Sequence, residues 1–156
     1  MLDSAAGKIL RIDADTGSGL ADNPHFDPRC PDCVRSKVWA RGLRNPFRFA
    51  IDPNNGEPVI GDVGWNSWEE VNRGRGANFG WPCYEGGPRT GLESVDNLSL
   101  PQSSFVASPA TAVACAQLLA RGPEAVVAPA FAYGHEGAGS GGEGGASIAA
   151  GTFYPG

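Results

Sequence analysis

Helix-forming runs are scarce in this 156-residue chain, and so are positive charge, histidine and long apolar stretches. No stretch approaches the roughly 20 apolar residues that cross a bilayer as a helix, so no membrane span is expected. No charged segment followed by an apolar core opens the chain, so no signal peptide is visible. Twelve Lys and Arg stand against 17 Asp and Glu, a formal net charge of -5. That balance argues against a nucleic-acid partner, which selects basic patches. Only His25 and His135 offer an imidazole base. What is abundant is glycine, 23 residues, with 13 prolines, together approaching a quarter of the chain. With 41% hydrophobic residues and this length, one turn-rich domain is expected.

The stretch 38–82 organises the rest. Phe47, Phe49 and Ile51 alternate with Arg48, Ala50 and Asp52, the period of a strand with one buried face. Asp52-Pro53-Asn54-Asn55-Gly56 is a turn, because Pro presets φ and Asn and Gly tolerate the left-handed region. Residues 58–63 read as the returning strand of a hairpin, and 68–72 as a third strand. Three short strands make an antiparallel meander, which must belong to a sandwich, barrel or propeller. Residues 7–13 predict an earlier strand. Asp13 to Gly17 reads as its turn, since an EF-hand loop requires later oxygen ligands and a closing Glu that are missing.

Cys30-Pro31-Asp32-Cys33 lies in a polar loop. A local disulfide, free thiols, and metal or redox chemistry all remain open for it. Cys83 and Cys115 bracket a long excursion, about 85–128, rich in Gly, Ser and Pro, and their pairing is the favoured one. Within it, 110–121 is the one helical candidate, ended by Gly122-Pro123. Asn97-Leu98-Ser99 is a glycosylation triplet, meaningful only in a secretory eukaryote. Residues 130–133 return to strand, 137–145 form a glycine-dense loop without the Lys and helix of a phosphate cradle, and 147–154 predict a final strand. Both ends read as cuts inside a longer protein.

Three motifs carry a family resemblance: GLRNPFRFAIDP, GDVGWNSWEEVN and GANFGWPCYEG, flanked in order by GKILRID and SIAAGTFYPG. The chain resembles the glucose/sorbosone dehydrogenase family, soluble β-propeller enzymes that use pyrroloquinoline quinone (PQQ) and calcium. The match is dense over 7–86, thin over 88–127 and moderate from 128 onward. The resemblance implies an all-β fold, about half the blades of a six-bladed propeller. Residues 1–156 then form a partial domain whose remaining blades are its structural partners.

It also implies site residues. Arg44 and Asn45 contact the quinone in the family; the alternative is that Arg44 pairs with a nearby acid and Asn45 caps a turn. The carbonyls of Gly64 and Trp65 hold the calcium that bridges to the quinone; alternatively Trp65 plugs or covers the propeller rim. Glu70 and the carbonyl of Phe79 hold a structural calcium, with Glu69 and Asp62 competing for that role; alternatively these acids line a solvated strand. His135 is expected to be a loop residue, because the family's catalytic His lies upstream of the region matching Gly7. His25 is expected on a surface loop. The implied function is part of a PQQ- and calcium-dependent sugar or alcohol dehydrogenase, secreted or periplasmic, without its catalytic base and so inactive in isolation. The alternatives are a non-catalytic extracellular propeller module that binds carbohydrate or protein, and a structural β-domain whose acidic turns bind calcium.

Overall fold

The computed structural model describes residues 2–65, 68–86, 108–135, 147–149 and 151–153. Strands dominate. A two-stranded antiparallel sheet joins β1 (Lys8–Leu10) to β2 (Val38–Arg41), with the short helix α1 (Val34–Lys37) leading into β2. A four-stranded antiparallel sheet follows in the order β3 (Pro46–Ile51), β4 (Pro58–Asp62), β5 (Trp68–Arg73) and β6 (Phe131–Gly134). Between β5 and β6 lie helix α2 (Pro109–Leu119) and a 3-10 turn at Pro123–Ala125. A four-stranded antiparallel sheet is the unit from which propellers are built.

The predicted hairpin forms as its turn residues require. Asp52's backbone carbonyl accepts the Gly56 N–H at 2.8 Å, with Gly56 at φ 73°, while the Asp52 carboxylate accepts the Asn54 N–H. The Asp13 carboxylate closes its own turn in the same way, accepting from the Thr16 N–H at 2.8 Å. Helix α2 matches the predicted 110–121 closely, with Pro109 in its first turn, where a missing N–H costs nothing. Gly122 follows it at φ 82°.

Register decides which side chains share a face, because directly opposed residues point the same way. Phe49, Ile60 and Asn72 are aligned across β3, β4 and β5, and Asp62 opposes Glu70. Ile60 packs with Ile9, Trp39, Ala40, Leu43, Ala77 and Phe79 in the main core. Residues 76–79 run beside β2: Arg41 donates to Ala77's carbonyl, and Phe79 donates to Arg41's. The opposite face carries Ala50, Val59 and Val71 and forms a groove with Ile148, Ala149 and Phe153.

Two expectations are corrected. The alternation at Phe47, Phe49 and Ile51 predicts a buried face, yet these residues are 61%, 51% and 52% exposed. Phe49 lies on the same face as buried Ile60, but β3 is the edge strand, and the core stops at β4 among the described residues. The predicted final strand over 147–154 is not one: its described residues, 147–149 and 151–153, are irregular. Ile148, Ala149, Gly151, Thr152 and Phe153 line one groove together with Ala50, Val59 and Val71. The Asn97 triplet, the whole glycine-dense tract and residues 87–107 of the expected insertion lie outside the described residues.

Both disulfides form, Cys30–Cys33 and Cys83–Cys115. The second spans 32 residues and ties α2 to the loop that follows β5. Replacing Cys83 and Cys115 by Ala is expected to lower unfolding free energy by about 3–4 kcal/mol, from the regained loop entropy. Urea denaturation of the double variant beside the unsubstituted chain measures it.

Candidate functional site

The site is the turn that leaves β4, residues 63–65, and it is gripped from several sides. Its two central peptide units are held at both edges. The Val63–Gly64 peptide gives its carbonyl to Arg44 Nη1 at 2.9 Å and its N–H to Glu69 Oε2 at 3.3 Å. The Gly64–Trp65 peptide gives its carbonyl to the same Nη1 at 2.7 Å and its N–H to Glu85 Oε1 at 2.7 Å. Val63's own N–H donates to Asn45's carbonyl at 3.0 Å. Arg44 and Asn45 are fixed in turn by Asp62, whose two oxygens accept their backbone N–H groups at 3.0 and 2.6 Å. Arg44's guanidinium lies over the rings of Trp65 and Trp81, 4.9 and 5.8 Å from their centroids. That pairing suits a planar cation and a flat surface.

The sequence thus expects Arg44, Asn45, Gly64 and Trp65 at one rim, and these residues meet in one loop cluster. Of the alternatives kept open for Arg44, a pairing with an acid is not formed among the described residues; the guanidinium engages two carbonyls and two rings. Trp65 is 42% exposed beside it.

The acids are buried, not solvated. Asp62, Glu69, Glu70 and Glu85 are each at most 6% exposed. The reading of a solvated acidic strand is therefore corrected. Asp62 and Glu70 face each other across the β4–β5 register. Burial pushes the Asp62 carboxyl up to about 6, against the backbone donors of Arg44 and Asn45. Burial pushes Glu70 up to about 7, with Asn72 and Gly86 opposing and the charges of Asp62 and Glu85 adding to the rise. Glu70 accepts from Asn72 Nδ2 at 2.8 Å and from the Gly86 N–H. Asn72 Oδ1, fully buried beside this carboxylate, has no hydrogen-bond partner among the described residues. Phe79 sits in the main core, its N–H committed to Arg41's carbonyl.

Three contributors were not foreseen. Glu85 anchors the turn by accepting from Trp65 and Trp68 N–H groups, a backbone role that leaves no sequence pattern. Trp81 stacks on Arg44. His135, expected as a loop residue, does follow β6 directly, and its Nε2 meets Glu69 Oε1 at 2.7 Å. The available signal was strand parity: Tyr133 opposes Glu69, and His135 is two residues on, on the same side.

Whether the residues suit the family's cofactors is answered in part by these atoms. Arg44 offers a cationic fork flanked by aromatic rings, which suits a flat polycarboxylate. A carbonyl oxygen has two lone pairs, so Gly64's acceptance from Arg44 leaves capacity for a cation. The orphaned Asn72 Oδ1 beside Glu70 is an oxygen donor of the type calcium selects. Among the described residues no three His, Cys, Asp or Glu side chains converge as a ready metal cage.

The sequence model described as Glucose / Sorbosone dehydrogenase matches residues 1–116, about three quarters of the chain. The chain belongs to the glucose/sorbosone dehydrogenase family. It is similar to the HIPL1 protein of Arabidopsis thaliana, 36% identical over 97 residues, covering 53% of this chain and 14% of that protein. It is similar to the aldose sugar dehydrogenase YliI of Escherichia coli K12, 32% identical over 82 residues, covering 52% and 21%. Among solved structures, the PQQ-bound aldose sugar dehydrogenase of Streptomyces coelicolor is 33% identical over 56% of this chain and 23% of its own, with a TM-score of 0.45. The chain therefore spans a seventh to about a quarter of these relatives' lengths. The two disulfides are compatible with an extracellular or periplasmic location. No described helix is long and apolar enough to cross a membrane.

Proposed function

We propose that this glucose/sorbosone dehydrogenase chain contributes part of the quinone and calcium site of a sugar or alcohol dehydrogenase acting on CH–OH groups. The observation that carries the reading is Arg44: one guanidinium holding two consecutive carbonyls of the Gly64 turn while facing two indole rings. Arg44 and Asn45 would hold the quinone. The carbonyls of Gly64 and Trp65 would hold the bridging calcium, and Glu70 a structural one. The Phe79 carbonyl would join Glu70 there, and the buried Asn72 Oδ1 offers a further oxygen beside that carboxyl. The bound quinone would supply the hydride acceptor; the chain supplies position and charge.

No residue described here is assigned as the base, so the isolated chain is expected to give no steady turnover with PQQ, calcium, an aldose and a dye acceptor. The exposed stripe of Phe47, Phe49 and Ile51 supports further blades of a six-bladed propeller as the structural partner. The full-length protein is assigned to a secreted or periplasmic compartment, on the strength of its disulfides.

The direct test is PQQ binding. Arg44→Ala is expected to weaken binding about 10- to 100-fold, the loss of one charged hydrogen-bonding partner. Calorimetric titration of PQQ into the chain, with calcium present, measures it. Equal affinity in the variant, or no binding by the unsubstituted chain, rejects the reading.

A further inference from the structure

We propose that Glu69 and His135 form a positioning pair that sets the orientation of the Gly64 peptide, and through it the carbonyls that Arg44 engages. The inference rests on the reading of Arg44 and Gly64 as a cofactor site. Glu69 is wholly buried, yet the expected roles account for none of its contacts. Its Oε1 meets His135 Nε2 at 2.7 Å, while its Oε2 accepts the Gly64 N–H at 3.3 Å and the Ile148 N–H at 3.0 Å. A buried carboxylate is costly unless its oxygens are satisfied, and here every partner lies on a different segment.

Gly64 is where such a clamp matters. The carboxylate pulls on the N–H edge of the Val63–Gly64 peptide and Arg44 on its carbonyl edge. With no side chain at Gly64, the peptide planes on either side turn easily unless both edges are held. Glu85 clamps the following peptide at Trp65 in the same manner, so the two carboxylates and one guanidinium fix two successive planes. His135 completes the arrangement by donating to the remaining Glu69 oxygen, which keeps that carboxylate turned toward Gly64. The pair's role is to hold the turn, not to react.

The test compares His135→Ala with His135→Gln, which retains an N–H donor. His135→Phe, which fills the ring's volume without a donor, replaces the Ala variant if that one does not fold. Amide hydrogen exchange is read by NMR at Gly64 and, as a reference, at Ile60. PQQ affinity is read by titration. Loss of the donor is expected to speed exchange at Gly64 about tenfold without changing Ile60. It is also expected to weaken PQQ binding about tenfold, the scale of a partner one shell removed. The Gln variant is expected to restore both. Unchanged exchange at Gly64, an equal change at Ile60, or a Gln variant as impaired as the donorless one overturns the pair. If the unsubstituted chain takes no PQQ, the functional reading fails, and exchange at Gly64 alone decides the inference.

Discussion

Raising the pH from about 4 to about 8 is expected to destabilise the fold by several kcal/mol. Asp62 and Glu70 are the cause, two opposed carboxyls that burial pushes up to about 6 and about 7. Their ordinary values are 3.8 and 4.5. The folded chain therefore keeps both protons over a range where the unfolded chain has released them. Below about pH 4 both states are protonated and folding gains the full benefit of neutral carboxyls. As pH rises toward 7 the unfolded state is favoured by ionisation, and beyond the folded values the loss is complete. A difference of about two pH units at each group corresponds to roughly 3 kcal/mol apiece. His25 works the other way, since burial and then Arg41 lower its value, but it is only partly buried. Urea midpoints measured from pH 4 to 8 check the slope. Glu70→Gln, which keeps an acceptor for Gly86 but cannot ionise, is expected to flatten the curve and to be the more stable protein at pH 8. A midpoint that stays level or rises over this range removes the argument. Calcium, if it binds at Glu70, is expected to recover stability most at the alkaline end, where the carboxylate is charged.

Gly64→Ala is expected to cost about 3 kcal/mol or more and to abolish quinone binding. A Cβ at Gly64 would collide with the backbone carbonyl of Trp68 and lie 2.7 Å from Glu85 Oε1. A backbone atom cannot rotate aside, so the turn itself must open and release the carbonyls from Arg44. Gly56→Ala is the informative comparison. Nothing lies near its Cβ position, and only its φ of 73° opposes the change. Its expected cost is about 1–2 kcal/mol, with no effect on the site. If the Gly64 variant melts and binds like the Gly56 variant, the close approach at Gly64 is not structurally important.

The meander was legible because its signals are local. Alternation marks strands, and the Asp52–Gly56 residues each favour a turn, so β3, β4 and β5 emerge near their true bounds. What alternation does not contain is the identity of the covering layer. Phe49 and Ile60 share a face, but only Ile60 has β1 and β2 residues over it. The last expected strand failed for a related reason: a run such as Ser147-Ile148-Ala149 can be tied to a strand through a side chain, as the Ile148 N–H is to Glu69, as readily as it joins an edge. At the site, Arg44, Asn45, Gly64 and Trp65 were legible through their motifs. Glu85 was not, since a carboxylate that accepts backbone N–H groups has no characteristic spacing. His135 reads as a loop residue in the sequence, although counting along β6 places it on the side of Glu69.

The neighbouring glutamates of β5 occupy opposite sides of one sheet, Glu70 with Asp62 and Glu69 with His135. A strand has no intermediate setting. A one-residue slip of β5 against β4 and β6 would turn each glutamate to the other face and break both the Glu69–His135 contact and the Glu70–Asn72 hydrogen bond. The register of β5 is thus a stricter requirement than either carboxylate alone, since one slip removes both sets of contacts at once.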